Sequence, residues 1–79
     1  MGLATTEEEL AHKAAQFLKA ELKRAGVTYE ELSKRLEDHG LKETKASIAN
    51  KLSRGTIAAT FFLATIAALE MEGLRLEDL

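Results

Sequence analysis

Hydrophobic residues recur at intervals of three and four along most of the chain, the spacing that places side chains on one face of an α-helix. The longest stripe begins at Leu10 and continues through Phe17 and Leu22. From Ile57 to Met71 the apolar residues surround nearly the whole helix circumference, so this segment is predicted to be the central strut of the fold or part of an interface. The pattern predicts four helices, over about residues 6–25, 29–39, 45–54 and 57–72.

Threonine and glycine residues mark the ends of these helices. A threonine hydroxyl can accept a hydrogen bond from the unpaired amides of a helix start, and glycine readily adopts the left-handed conformation that ends a helix. Glu9 and Glu31 stand three residues after a threonine, the spacing of a capping box. The predicted helices begin at Thr6, Thr28, Thr44 and Thr56 and end before Gly26, Gly40, Gly55 and Gly73.

These features predict the fold class. The chain contains no proline and few runs of β-branched residues, so we expect an all-α protein, a small bundle of four main helices. Its 79 residues suffice for a single domain over residues 1–79. The tail Leu74–Leu79 alternates apolar and polar residues, which fits either a short strand or a helical turn.

The composition limits the function classes. No cysteine is present, which excludes thiol redox chemistry and cysteine-ligated zinc. Residues 1–9 are acidic and hold no secretory signal, so we expect a cytoplasmic protein. The most apolar stretch, residues 56–71, is shorter than the roughly 18 to 20 residues that cross a bilayer, so no membrane partner is expected.

Catalytic and metal-binding patterns are also missing from the sequence. Glu9 and His12 form one Glu-x-x-His pair, but carboxylate-bridged metal sites need a second pair on a facing helix, and the other histidine, His39, supplies none. No phosphate loop, nucleophile elbow or zinc-ligand spacing occurs. We therefore expect no catalytic residue, metal, cofactor or small-molecule substrate, and do not expect an enzyme.

The net charge of −2 hides an uneven distribution. The other segments are neutral or acidic, whereas residues 41–55 contain one carboxylate, Glu43, and four cations: Lys42, Lys45, Lys51 and Arg54. Any anion-binding surface is therefore expected in this segment.

The two short predicted helices follow a long one and are joined by a glycine-containing connection, the order of a helix-turn-helix. The segments Val27–Ser33 and Asn50–Gly55 resemble the lambda-repressor-like helix-turn-helix domains, over roughly residues 15–74. In that family a turn glycine follows a small residue by four positions, whereas here Gly40 makes the connection about three residues longer. More narrowly, Ser53–Phe62, with residues 18–23 and 26–29, is similar to a family of short bacterial domains of unknown function.

The lambda-repressor-like resemblance implies a transcription regulator whose second short helix reads duplex DNA. The amide of Asn50 suits adenine, and Lys42 and Arg54 suit phosphates. The predicted DNA-binding residues are Lys42, Thr44, Lys45, Ser47, Asn50, Lys51 and Arg54.

A second hypothesis is a homodimeric protein-interaction module that does not bind DNA. The apolar breadth of the fourth predicted helix favours it and predicts an interface at Phe61, Phe62 and Ile66. The two hypotheses are compatible, because helix-turn-helix domains commonly dimerise to read two half-sites.

Overall fold

Four α-helices and one C-terminal helical turn make up the computed structural model, which describes residues 6–79. No strand occurs among these residues, so the predicted all-α class is confirmed, and the tail takes the helical-turn alternative. Residues 1–5, part of the segment in which we looked for a secretory signal, lie outside the described residues. The elements are α1 (Glu7–Ala25), α2 (Tyr29–Glu37), α3 (Lys45–Arg54), α4 (Ala59–Ala68) and the turn Leu76–Asp78.

Threonine hydroxyls cap the starts of α1 and α2 as predicted. Thr6 and Thr28 each accept a hydrogen bond from the backbone amide three residues on, both at 3.1 Å. At α2 the second half of the predicted capping box is replaced by an ion pair, because the Glu31 carboxylate lies 3.2 Å from Arg35 Nε. Helix α2 also ends at Glu37, slightly earlier than expected, and a turn carries the chain to Gly40.

Helix α4 is shorter at both ends than the predicted span of 57–72. Thr56 does not cap it, because the Thr56 amide donates to the Lys51 carbonyl at 3.1 Å and thereby completes the end of α3. The cap residue is Ala58, whose side chain makes no capping hydrogen bond. Four residues, 55–58, therefore separate the end of α3 from the start of α4.

The C-terminal end of α4 is set by Glu70 rather than by Gly73. Glu70 has a φ of 60°, the left-handed conformation that closes a helix, and its amide donates to the Ala67 carbonyl at 2.9 Å. A side chain from α2 fixes the same end, since Arg35 Nη1 donates to the Ala68 carbonyl at 3.0 Å. The helix thus ends where tertiary contacts hold it, without a glycine.

We expect Glu70→Gly to raise the free energy of unfolding by about 0.5 to 1 kcal/mol. A left-handed conformation costs a residue with a Cβ about 1–2 kcal/mol, of which glycine recovers part. Urea denaturation followed by circular dichroism measures the change. Glu70→Ala removes the same charge but keeps the strain, so equal stability of the two variants would contradict this assignment.

The core is one cluster to which all four helices contribute. Helix α3 packs against α1 and α2, and α4 packs against the same two helices. The apolar stripes predicted on the first three helices face this cluster, except for Leu10 at the start of the first stripe, which is 43% exposed. Its buried hydrophobic residues are Ala15, Leu18, Leu22, Val27, Leu32, Leu36, Ile48, Leu52, Phe61, Ala64, Ile66 and Ala68.

Candidate nucleic-acid interface

The basic segment folds into the connection after α2 and the whole of α3. Ile48 and Leu52 are fully buried and fix the inward face of α3. Helical periodicity then turns Ala46, Asn50 and Ser53 outward, and all three are exposed. The outer face of α3 is therefore formed by small and uncharged polar side chains.

Three exposed cations lie at or beside the two ends of α3. Lys42 precedes α3, Lys45 is its first residue and Arg54 its last, and all three are exposed. The ion pairs among residues 6–79 use other cations: Arg24, Arg35, Lys51 and Arg75. The charges of Lys42, Lys45 and Arg54 therefore have no carboxylate partner within the described chain and remain available to an anion.

The other predicted DNA-binding side chains make contacts within the chain. Lys51 Nζ forms an ion pair with Glu43 and lies 5.3 Å from the centroid of the Phe61 ring. Ser47 Oγ donates to Glu43 Oε1 at 2.6 Å and accepts from the Thr44 amide at 2.8 Å. Thr44 in turn accepts from the Ser47 amide at 3.0 Å, which completes a capping box. We call Glu43, Ser47 and Lys51 the Glu43 cluster.

The Glu43 cluster holds its carboxylate ionised. The side chain of Glu43 is only 9% exposed, and burial alone would raise its pKa. Hydrogen bonds from Lys51 and Ser47, together with the charge of Lys51, outweigh burial and lower the pKa below its usual value. The charge of this glutamate thus fixes α3 to the connection that precedes it.

Sequence reasoning missed this role of Glu43 and counted it only as an opposing charge. A signal was present, because Glu43, Ser47 and Lys51 follow one another at intervals of four, the spacing of one helical face. The contact of Lys51 with Phe61 joins residues of α3 and α4 and has no such local signal.

The sequence profile of one known family matches residues 2–74, which include all four helices and the Glu43 cluster. The chain belongs to the DUF6471 family, a domain of unknown function. This confirms the resemblance to a short domain of unknown function. No curated protein and no solved structure matches the chain.

The DUF6471 domain buries two of the three residues predicted to form an interface. Phe61 is 2% exposed and Ile66 8%, because both side chains face the core. Phe62 is half-buried, with its ring centroid 6.4 Å from that of Phe17 in α1. The large apolar side chain that α4 exposes is instead Leu63, which is 64% exposed.

Neither a membrane-spanning helix nor a metal-binding group of side chains is found in the part of this DUF6471 domain that the structure describes. None of the helices within residues 6–79 combines the length and apolar character needed to span a membrane. In the same part of the chain, no group of three or more histidine or acidic side chains is placed to hold a metal ion.

Proposed function

We propose that this domain binds duplex DNA through the outer face of α3. The observation that carries the proposal is that Lys42, Lys45 and Arg54, three exposed cations without a carboxylate partner in the described chain, lie at the two ends of a helix whose outer face carries small side chains. Phosphate contacts supply most of the affinity of DNA-binding proteins, and such contacts need cations that are not already neutralised.

The dimensions and chemistry of α3 support the same proposal. The helix is about 15 Å long and has no acidic residue that would repel DNA. Small side chains at Ala46 and Ser53 allow its backbone to approach a major groove, where the Asn50 amide can pair with adenine. The resemblance to lambda-repressor-like domains points to the same helix as the one that reads DNA.

In this proposal Thr44, Ser47 and Lys51 position α3 rather than contact DNA. Their polar groups are engaged in the capping box and the Glu43 cluster. The connection between α2 and α3 spans residues 38–44, longer than the turn of a standard helix-turn-helix. In a standard helix-turn-helix the short turn fixes the orientation of the second helix. Here the connection is longer, and the Glu43 cluster fixes the orientation of α3 instead.

The test is a fluorescence-anisotropy titration of mixed-sequence duplex DNA at several salt concentrations. Three phosphate contacts predict a log–log salt slope of roughly −3 for the natural chain. The triple variant Lys42→Gln, Lys45→Gln, Arg54→Gln should bring the slope near zero. These substitutions leave the Glu43 cluster intact, and circular dichroism checks that helicity is unchanged.

A matched control removes the same number of charges from other helices. Lys19, Lys23 and Lys34 are exposed on α1 and α2, so their triple glutamine variant has the same net charge as the test variant. We expect this control to keep most of the salt slope. Equal losses in both variants, or no binding of the natural chain at low salt, would refute DNA binding by α3.

A further inference from the structure

The side chain of Asn50, on the outer face of α3, is exposed and makes no hydrogen bond to any of residues 6–79. Thr44 and Ser47, by contrast, use their side chains in the capping box of the same helix. A free amide offers a donor and an acceptor side by side, and the major-groove edge of adenine offers the N7 acceptor beside the N6 donor. The Asn50 amide can therefore pair with adenine through two hydrogen bonds at once.

Ala46 lies one helical turn before Asn50 on the same outer face and is also exposed. The two residues are about 6 Å apart along the helix axis, which corresponds to about one or two steps between base pairs stacked about 3.4 Å apart. A methyl side chain at this place fits the C5 methyl group of thymine, which lies in the major groove. Ala46 and Asn50 therefore suit A·T pairs that lie close together in the duplex.

Within residues 45–54, no side chain on the outer face of α3 is of the type that recognises a G·C pair. Guanine is typically read by arginine or lysine, and cytosine by aspartate or glutamate. Helix α3 contains no acidic residue. Its cations lie off the centre of the outer face, because Lys45 and Arg54 are its end residues and Lys51 is paired with Glu43.

We propose that α3 selects A·T base pairs in the major groove, with Asn50 bound to an adenine and the Ala46 methyl group against a thymine one or two pairs away. This inference rests on the proposed binding of duplex DNA by α3 and adds the class of sequence that is bound. The phosphate contacts of Lys42, Lys45 and Arg54 are the same on every sequence, so they supply affinity without selecting a site. Site selection therefore depends on Asn50 and Ala46.

Selection of binding sequences from a pool of random duplexes, followed by sequencing, tests the base preference. The natural chain should enrich duplexes that share an A·T pair at a fixed position, by at least about fivefold over the same site with G·C. Asn50→Ala should abolish the preference at that position yet keep the salt slope of the natural chain, because the three cations are unchanged. The matched control is Gln16→Ala, which removes an exposed amide from α1 and should keep both properties.

Modified bases in the enriched duplex test which atoms are read. The base analogue 7-deazaadenine lacks the N7 acceptor and should weaken binding of the natural chain by about fivefold, but not binding of Asn50→Ala. Uracil lacks the thymine methyl group and should weaken binding by about fourfold, the contribution of one buried methyl group. Neither replacement alters the minor groove or the phosphates.

The outcomes of these experiments separate the base preference from DNA binding itself. Salt-dependent binding that enriches no sequence, or that enriches sites centred on G·C pairs, would overturn the inference but leave DNA binding by α3 in place. An A·T preference that survives Asn50→Ala would overturn the assignment to Asn50. Absence of binding at low salt would refute both the proposed function and this inference, so the salt titration distinguishes the two failures.

Discussion

Phe61→Ala should lower the free energy of unfolding by about 3–5 kcal/mol, the range found when a buried aromatic ring is replaced by a methyl group. Phe61 is 2% exposed and belongs to the core cluster. Its ring also lies against the Lys51 ammonium, so the substitution removes a cation–π contact along with the apolar burial. In so short a chain, this loss is a large fraction of the total stability.

Urea denaturation followed by circular dichroism provides the measurement. The control is Leu76→Ala, which truncates a leucine that is 61% exposed and should change stability by less than about 0.5 kcal/mol. If Phe61→Ala were no more destabilising than this control, the assignment of the buried face of α4 would be wrong. A charged residue at Phe61 should unfold the chain, and so could not serve as a test of an interface.

Glu43→Gln should lower the free energy of unfolding by about 1–2 kcal/mol at neutral pH. Glutamine has nearly the same shape and an oxygen that can accept from Ser47, but it loses the negative charge that pairs with Lys51 and strengthens the Ser47 hydrogen bond. Hydrogen bonds to charged groups contribute about 1.5–3 kcal/mol, and partial exposure of Lys51 reduces this value. Denaturation by urea at neutral and acidic pH measures both the size of the effect and its pH dependence.

The pH dependence has a defined sign. The pKa of Glu43 is lower in the folded chain than the value of about 4.5 for a free glutamate, so its stabilising contribution is complete above that pH. The contribution is lost as the pH falls through the folded value, and the natural chain and Glu43→Gln should then converge in stability. Glu37→Gln, at an exposed carboxylate ending α2, is the matched control. A Glu43→Gln effect no larger than this control would contradict the role of the Glu43 cluster.

The first three helices could be predicted from the sequence because their ends and faces are set locally. Threonine caps start them, and their apolar stripes are narrow enough to show which side is buried. Helix α4 lacks both signals. It is apolar all round, so periodicity could not separate the buried Phe61 from the exposed Leu63, and Thr56 was already used to end α3.

The candidate site shows the same division between local and distant contacts. Counting charges correctly located a basic segment, and the pattern on α3 correctly separated Ile48 and Leu52 from the exposed Asn50. Counting could not tell which lysine would be paired within the chain. Lys51 is neutralised by Glu43, eight residues earlier, and the fold brings the Phe61 ring of α4 against its ammonium, whereas Lys45 remains exposed.

The two contacts of Arg35 restrict which residue can occupy position 35 in this fold. Its Nε contacts Glu31 within α2, while its Nη1 reaches the Ala68 carbonyl at the end of α4. A guanidinium can serve two acceptors at once because its nitrogens are held apart in a plane, whereas the single nitrogen of lysine cannot span both. Exchange of Arg35 for lysine is therefore not conservative, and homologous chains that join α2 to α4 in this way should retain arginine.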